Sequence, residues 1–468
     1  MLEIVQAINA YLGDYILVGL LLGVGLWYTV KTRFVQVRCF GEGMRRTFGS
    51  FSMKGHKHRS SMSSFQALTT AIAAQVGTGN IVGASGAILT GGPGAIFWMW
   101  VIAFFGMATV YAEAVLAQET RRRDKSGHIT GGPVYYITKA FPGKGGKALA
   151  AFFALATILA MGFFGCMVQS NAIGATMQEA FAIPSWVVGI ALVIICGMIF
   201  LGGVKAIAAV TEKVVPAMAA LFLLVGCGVL LLRIKTIPET FGLIIRYAFQ
   251  PQAIIGGGIG YALKTALSQG VKRGLFSNEA GMGSTPHAHA LAKVEKPHDQ
   301  GVVAMVGVFI DTFVVLTLNA LVIISVMYAD GGVLANGAAA GPGGIDKTNL
   351  AQLAFGGVFG HTFGNAFVAV CLLFFAFSTI LSWNLFGRIN AQFLFGEKSR
   401  LPYIGLALVF IMMGTLAQND LVWELSDLCN QLMVIPNVLA LFALTARVQR
   451  QLKKGLRKTH PADEHHHS

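Results

Sequence analysis

Apolar residues along this 468-residue chain come in long runs rather than at every second position. Leu149 to Gly165 and Phe367 to Phe377 do not alternate in polarity, which argues against the roughly ten-residue alternating strands of a membrane β-barrel. Many runs reach the ~20 residues that a helix needs to cross about 30 Å of hydrocarbon. Divided at charged or Gly/Pro-rich breaks, the pattern predicts an all-α polytopic membrane protein with eleven transmembrane segments. They lie near 12–30, 65–90, 94–118, 148–181, 185–203, 212–233, 254–290, 300–328, 363–395, 403–419 and 426–447.

Two segments differ from the others, because polar residues and glycines interrupt their centres. Segment 2 carries Gln75-Val76-Gly77-Thr78-Gly79-Asn80, and segment 7 is interrupted between Ser268 and Ser284. They lie five spans apart. Segments 2–6 and 7–11 therefore predict two five-helix units of opposite topology, the inverted repeat of secondary transporters, in which paired interrupted helices mark the binding site. The expected organisation is an extra helix and loop at 1–64, a first repeat at 65–233, a second at 234–447 and a basic tail at 448–468.

Composition agrees with that pattern: 55% of residues are hydrophobic, 12% are charged, and mean hydropathy is +0.65. The net charge of +14 resides in loops, so it reads as a topological signal rather than a nucleic-acid surface. Lys31, Arg33, Arg38, Arg45, Arg46, Lys54, Lys57 and Arg59 lie in one loop. Arg121, Arg122, Arg123, Lys125, Lys139, Lys144 and Lys147 lie in a second, and Arg447 to Lys458 in the tail. Those parts are expected in the cytoplasm, with the amino terminus outside and the carboxyl terminus inside a bacterial inner membrane. The six cysteines form no CxxC pair and read as packing residues. No Walker A, HExxH or GxSxG motif in a suitable context is found, so the sequence does not predict an enzyme.

The chemistry is expected at the interruptions. A helix unwound in hydrocarbon persists only where it lines a cavity or is buried in protein, and its freed carbonyls are hard ligands for a small cation. Half-helix N–H groups suit a carboxylate. In segment 7, Glu279 has two open readings: direct coupling, or a loop anchor that accepts backbone N–H groups or pairs with Lys272 or Arg273. Ser378 and Thr379 in segment 9 either bond back to their own helix or face a site. Gln169, Ser170 and Asn171 in segment 4 either line a site or hold helices together. The histidines fall in loops or segment ends.

The run from Gly91 to Gly106, GGPGAIFWMWVIAFFG, resembles the signature of the alanine or glycine:cation symporter family. Gln75–Asn80, Phe276–Ser284 and Phe375–Thr379 are similar to that family's segments in the same order, and the resemblance covers about residues 12–447. It implies a LeuT-type fold of five plus five helices with one additional N-terminal helix, as in the amino acid, polyamine and organocation superfamily. The substrate carboxylate would meet N–H groups at Thr78 and Gly79, and its ammonium the segment 7 break around Lys272 to Phe276. Phe276 and Trp383 would be apolar walls, and Gln169 or Asn171 a polar lining. One sodium would lie between the carbonyls of Ala73 and Val76, the carbonyl of Phe375 and the hydroxyls of Ser378 and Thr379. Asn80 corresponds to a ligand of a second sodium in related neurotransmitter:sodium symporters, but a single coupling ion is expected here. Leu385-Phe386 stands where many members of the family carry a tyrosine pair, which leaves exact substrate preference open.

The implied function is sodium-coupled symport of alanine or glycine by alternating access, with a small neutral amino acid, Na+ and lipid as partners, sodium as the coupling ion and no cofactor. The oligomeric state stays open, a monomer being able to carry this function, and no nucleic acid is expected as a partner. The rival readings are a proton-coupled transporter or exchanger that uses Glu279, and an uncoupled substrate-gated receptor or channel.

Overall fold

The computed structural model describes residues 2–49, 62–123, 129–249, 259–335, 344–417 and 419–457. Lys54, Lys57, Arg59, Lys125, Lys458 and the 254–258 start of segment 7 lie outside these residues. The principal helices are α1 (Leu2–Lys31), α2 (Phe40–Phe48), α3 (Ser64–Gln75), α4 (Gly79–Gly91), α5 (Gly94–Thr120), α6 (Lys144–Phe181) and α7 (Ser185–Leu232). They continue with α8 (Ile259–Asn278), α9 (Pro286–Leu291), α10 (Pro297–Met327), α11 (Leu350–Phe359), α12 (His361–Phe395), α13 (Arg400–Leu416), α14 (Asn419–Ala443) and α15 (Thr445–Leu456). The strands among the described residues are one short antiparallel pair, Arg122–Arg123 with Ile129–Thr130.

Among the described residues, length and composition give eight crossing helices, or nine with the bent pair α3 and α4 counted as one span. The eleven segments predicted from sequence require in addition that α7 be two spans and that α8 be one. α7 has 48 residues, about 72 Å at 1.5 Å per residue and more than twice the hydrocarbon thickness. Its helical dihedrals fail at Gly203, where φ is +73°. That value suits glycine, and Gly203 is the last residue of the fifth predicted segment, just before the gap to the sixth.

α6, α10 and α12 are the central helices: 72% of each one's most apolar stretch is buried, against 33% for α7 and α13. Met198, Leu224, Leu231 and Leu232 of α7 face outward, as lipid-facing side chains should. The N-terminal end of α3 is fixed by a capping box: Gln66 N–H donates to Ser63 Oγ at 3.0 Å, and Ser63 N–H to Gln66 Oε1 at 3.1 Å. α8 is anchored by ion pairs from Lys272 to Asp14 of α1 at 2.6 Å and from Arg273 to Asp427 of α14 at 3.0 Å.

Candidate functional site

α3 stops at Gln75 because Val76 leaves helical conformation, with φ −79° and ψ +86°, and α4 restarts at a 44° bend. Gly77 N–H turns to Asn80 Oδ1 at 3.1 Å, and Thr78 N–H donates to Gln169 Oε1 of α6 at 3.1 Å. Side chains thus satisfy backbone donors that no water reaches. Neither Gly77 nor Gly79 has positive φ; they are needed for close approach. A Cβ on Gly77 would lie 2.4 Å from Thr379 Oγ1, and one on Gly79 would lie 2.9 Å from Ser277 Cα. The break is where α6, α8 and α12 converge on one backbone.

The predicted cation ligands meet there. Thr379 Oγ1 lies 2.7 Å from the Ala73 carbonyl, 3.0 Å from Phe375 O and 3.5 Å from Val76 O. One hydroxyl proton serves at most one of three carbonyls, so lone pairs exceed protons around a buried point. Such an all-oxygen, uncharged cluster fits a small hard cation. Ser378 stands at the edge of the group: its hydroxyl donates to Phe375 O at 2.9 Å and lies 3.6 Å from Met218 Sδ.

The amino acid lining is gathered only in part. Gln169, Phe276 and Trp383 are buried around the break, with the Phe276 and Trp383 rings edge-to-face at 5.7 Å between centroids. Thr78 Oγ1 and Gln169 Nε2 are buried without a partner among the described residues, leaving polar capacity beside the break. Asn171 is not brought to it. Its amide donates to the carbonyls of Gly414 and Ala417, both at 2.9 Å, and ties α6 to the end of α13. Trp383 is more than an apolar wall, because its Nε1–H donates to Glu279 Oε1 at 2.5 Å.

In segment 7 the helix runs through Asn278, so the interruption begins at Glu279 rather than around Lys272 to Phe276. Glu279, Gly281 and Gly283 all have positive φ, and α9 resumes at Pro286. Glu279 pairs with neither Lys272 nor Arg273, whose partners are Asp14 and Asp427; it accepts from Trp383 and Ser284. The two breaks are joined directly, since Gln75 Nε2 donates to the Asn278 carbonyl at 2.8 Å.

Two buried carboxylates of this region went unnoticed in the sequence, though each is an acid inside an apolar segment. Asp311 of α10 accepts from Asn80 Nδ2 at 2.8 Å, Ser277 Oγ at 3.0 Å and Thr312 Oγ1 at 2.8 Å. It links the break of segment 2 to the end of α8. Glu113 of α5 accepts from Asn437 Nδ2 at 2.6 Å, and the same amide donates to Gly281 O at 2.9 Å. Three of the histidines at segment ends, His287, His289 and His298, are buried, and His287 bonds Ser284 O at 2.7 Å and Asn390 at 2.8 Å.

The family model described as the sodium:alanine symporter family matches residues 1–467. The chain belongs to that family. Its members are transporters, and this symporter is accordingly an amino acid:cation transporter and not an enzyme. The sodium/alanine symporter AgcS of Methanococcus maripaludis is 39% identical over 454 residues, which cover 96% of each chain. A Bacillus subtilis protein named putative sodium/proton-dependent alanine carrier protein YrbD is 39% identical over 475 residues, 97% of this chain and 94% of that one. Among solved structures, MhsT in complex with L-phenylalanine superposes with a TM-score of 0.57 at 14% identity, over 85% of this chain and 99% of that one. The symporter has the LeuT-type fold.

Proposed function

We propose that the protein is a sodium-coupled symporter that carries small neutral amino acids, alanine and glycine, into the cell by alternating access. The observation that supports this reading best is the Thr379 hydroxyl among three carbonyls, because it joins α12 to the break in α3–α4 through a cluster of oxygens. Sodium takes the carbonyls of Ala73, Val76 and Phe375 and the hydroxyls of Thr379 and Ser378. The substrate carboxylate takes the N–H groups of Thr78 and Gly79, displacing the Gln169 amide oxygen from the first, and Gln169 Nε2 adds a donor. Phe276 and Trp383 close over a side chain of hydrogen or methyl size.

Sodium thus joins the first repeat, 65–233, to the second, 234–447, before the amino acid completes the pocket and both are released inside. The proposed setting is the bacterial inner membrane, with eleven spans, the amino terminus outside and the carboxyl terminus in the cytoplasm. Competition for sodium-driven uptake of labelled alanine tests the substrate class: glycine should compete and leucine should not. Equal competition by leucine would remove the small-pocket assignment.

A second reading, coupling to protons, draws on the position of Glu279 between the segment 7 break and Trp383. It predicts uptake that follows a pH gradient in sodium-free buffer and is lost in Glu279→Gln.

A further inference from the structure

Away from the transport site, Cys39, Glu42 and His298 converge where α2 packs against the start of α10. Cys39 Sγ, a Glu42 carboxylate oxygen and a ring nitrogen of His298 all lie within 4.8 Å of one another. Cys39 and His298 are buried, and Glu42 is partly exposed, so the cluster is reachable from solvent on one side. We propose that these three residues form a binding site for a divalent transition metal of the zinc class, separate from the coupling cation.

Three features support it. The first is the donor set. A thiol, an imidazole and a carboxylate suit a borderline-soft ion such as Zn2+ or Co2+ and serve Na+ poorly. Three protein ligands leave a fourth position for water.

The second is distance. His298 Nε2 lies 3.4 Å from Glu42 Oε2, long for a charge-assisted hydrogen bond of about 2.7–2.9 Å. Two ligands held about 2.1 Å from one ion across a tetrahedral angle lie about 3.4 Å apart. The gap therefore matches a shared metal better than a shared proton.

The third is the outer shell. Tyr111 OH is 2.8 Å from His298 Nδ1, so the ring nitrogen away from the cluster is hydrogen-bonded, as the second nitrogen of a metal-binding imidazole is. When the phenol oxygen accepts from Nδ1–H, the Nε2 lone pair is left facing Glu42 and Cys39. The glutamate is already oriented, because its Oε1 holds Arg46 at 2.8 Å while Oε2 points to His298. Arg46 also reaches Asp299 at 3.0 Å, so it keeps an anionic partner when a metal draws on Glu42. The imidazole is covered by Gly455 of α15, where a Cβ would fall 2.2 Å from the ring. A metal here fastens α2 to the base of α10 under the C-terminal helix.

The test uses purified full-length protein in detergent, with His460, His465, His466 and His467 changed to alanine so that the tail binds no metal. After chelator stripping, Co2+ is added and thiolate-to-cobalt charge-transfer absorption is recorded together with bound metal per chain. The proposal expects one Co2+ per chain that Zn2+ displaces, with the absorption lost in Cys39→Ser. Binding should weaken at least tenfold in His298→Gln and Glu42→Gln. Tyr111→Phe should weaken it about 10- to 100-fold, as loss of an outer-shell partner does. Monodisperse elution of each variant separates lost ligands from lost folding, and Glu42→Gln, on the exposed side of the cluster, provides a ligand change that spares the core. Absorption that survives Cys39→Ser, or equal metal content in the parent and a Cys39→Ser/Glu42→Gln double variant, would overturn the proposal.

Discussion

Replacing Thr379 with alanine should raise the sodium concentration for half-maximal alanine uptake about 10- to 100-fold. The hydroxyl is fully buried and lies 2.7, 3.0 and 3.5 Å from three carbonyl oxygens, so its loss removes an oxygen from the centre of the cluster. A hydrogen-bonding group set against a full charge contributes about 1.5–3 kcal/mol. At about 1.4 kcal/mol per factor of ten, that range spans one to two decades of sodium affinity. Thr379→Ser keeps the oxygen and loses only a methyl group, and should stay within about threefold of wild type, a difference of about 0.7 kcal/mol. The assay is initial-rate uptake of labelled alanine into proteoliposomes across a sodium series, with ionic strength held by choline. A wild-type sodium curve in Thr379→Ala, or equal displacement in the alanine and serine variants, would refute the ligand assignment.

Gly79→Ala drives a Cβ to within 2.9 Å of the Ser277 backbone; overpacking of this kind costs about 1–3 kcal/mol, and transport should be lost while membrane expression persists, as uptake normalised to immunoblot would show. Asn171→Ala should leave the alanine KM unchanged but lower thermal stability in detergent, because its amide holds the Gly414 and Ala417 carbonyls rather than the substrate; a raised KM at unchanged stability would return it to the pocket. Trp383→Phe keeps a ring beside Phe276 but leaves a Glu279 oxygen without its donor, at about 1–3 kcal/mol; maximal rate should fall while leucine remains excluded, and competition by leucine would show that ring size alone closes the pocket. A Gly203→Ala change imposes positive φ on a residue with a Cβ. The kink in α7 should then weaken, measured as a lower melting temperature.

Much of this arrangement was legible from the sequence because a bilayer imposes length and continuity on every span. The broken segments 2 and 7 stood out because polar residues interrupt apolar runs there, and the breaks lie at Val76 and Glu279. Rotation about each helix axis was not legible. α12 and α6 are apolar on all sides, so no polar face marks which way Thr379, Ser378, Gln169 or Asn171 points. Adjacent residues lie about 100° apart around a helix. Thr379 therefore meets Ala73 O while Ser378 turns toward Met218, and Gln169 reaches Thr78 while Asn171 reaches α13. Asp311 and Glu113 carried the same signal as Glu279, an acid among apolar residues, and that rule applied evenly would have found both. Their partners come from segments far apart in sequence, which local pattern does not encode.

The most direct test of the central claim is accumulation of labelled alanine in proteoliposomes under an imposed inward sodium gradient, with potassium in place of sodium as control. The account predicts accumulation above the external concentration with sodium, collapse of that accumulation when the gradient is dissipated, and only equilibration with potassium. Accumulation that ignores sodium, or follows a pH gradient in its absence, would contradict sodium coupling and shift the mechanism to Glu279.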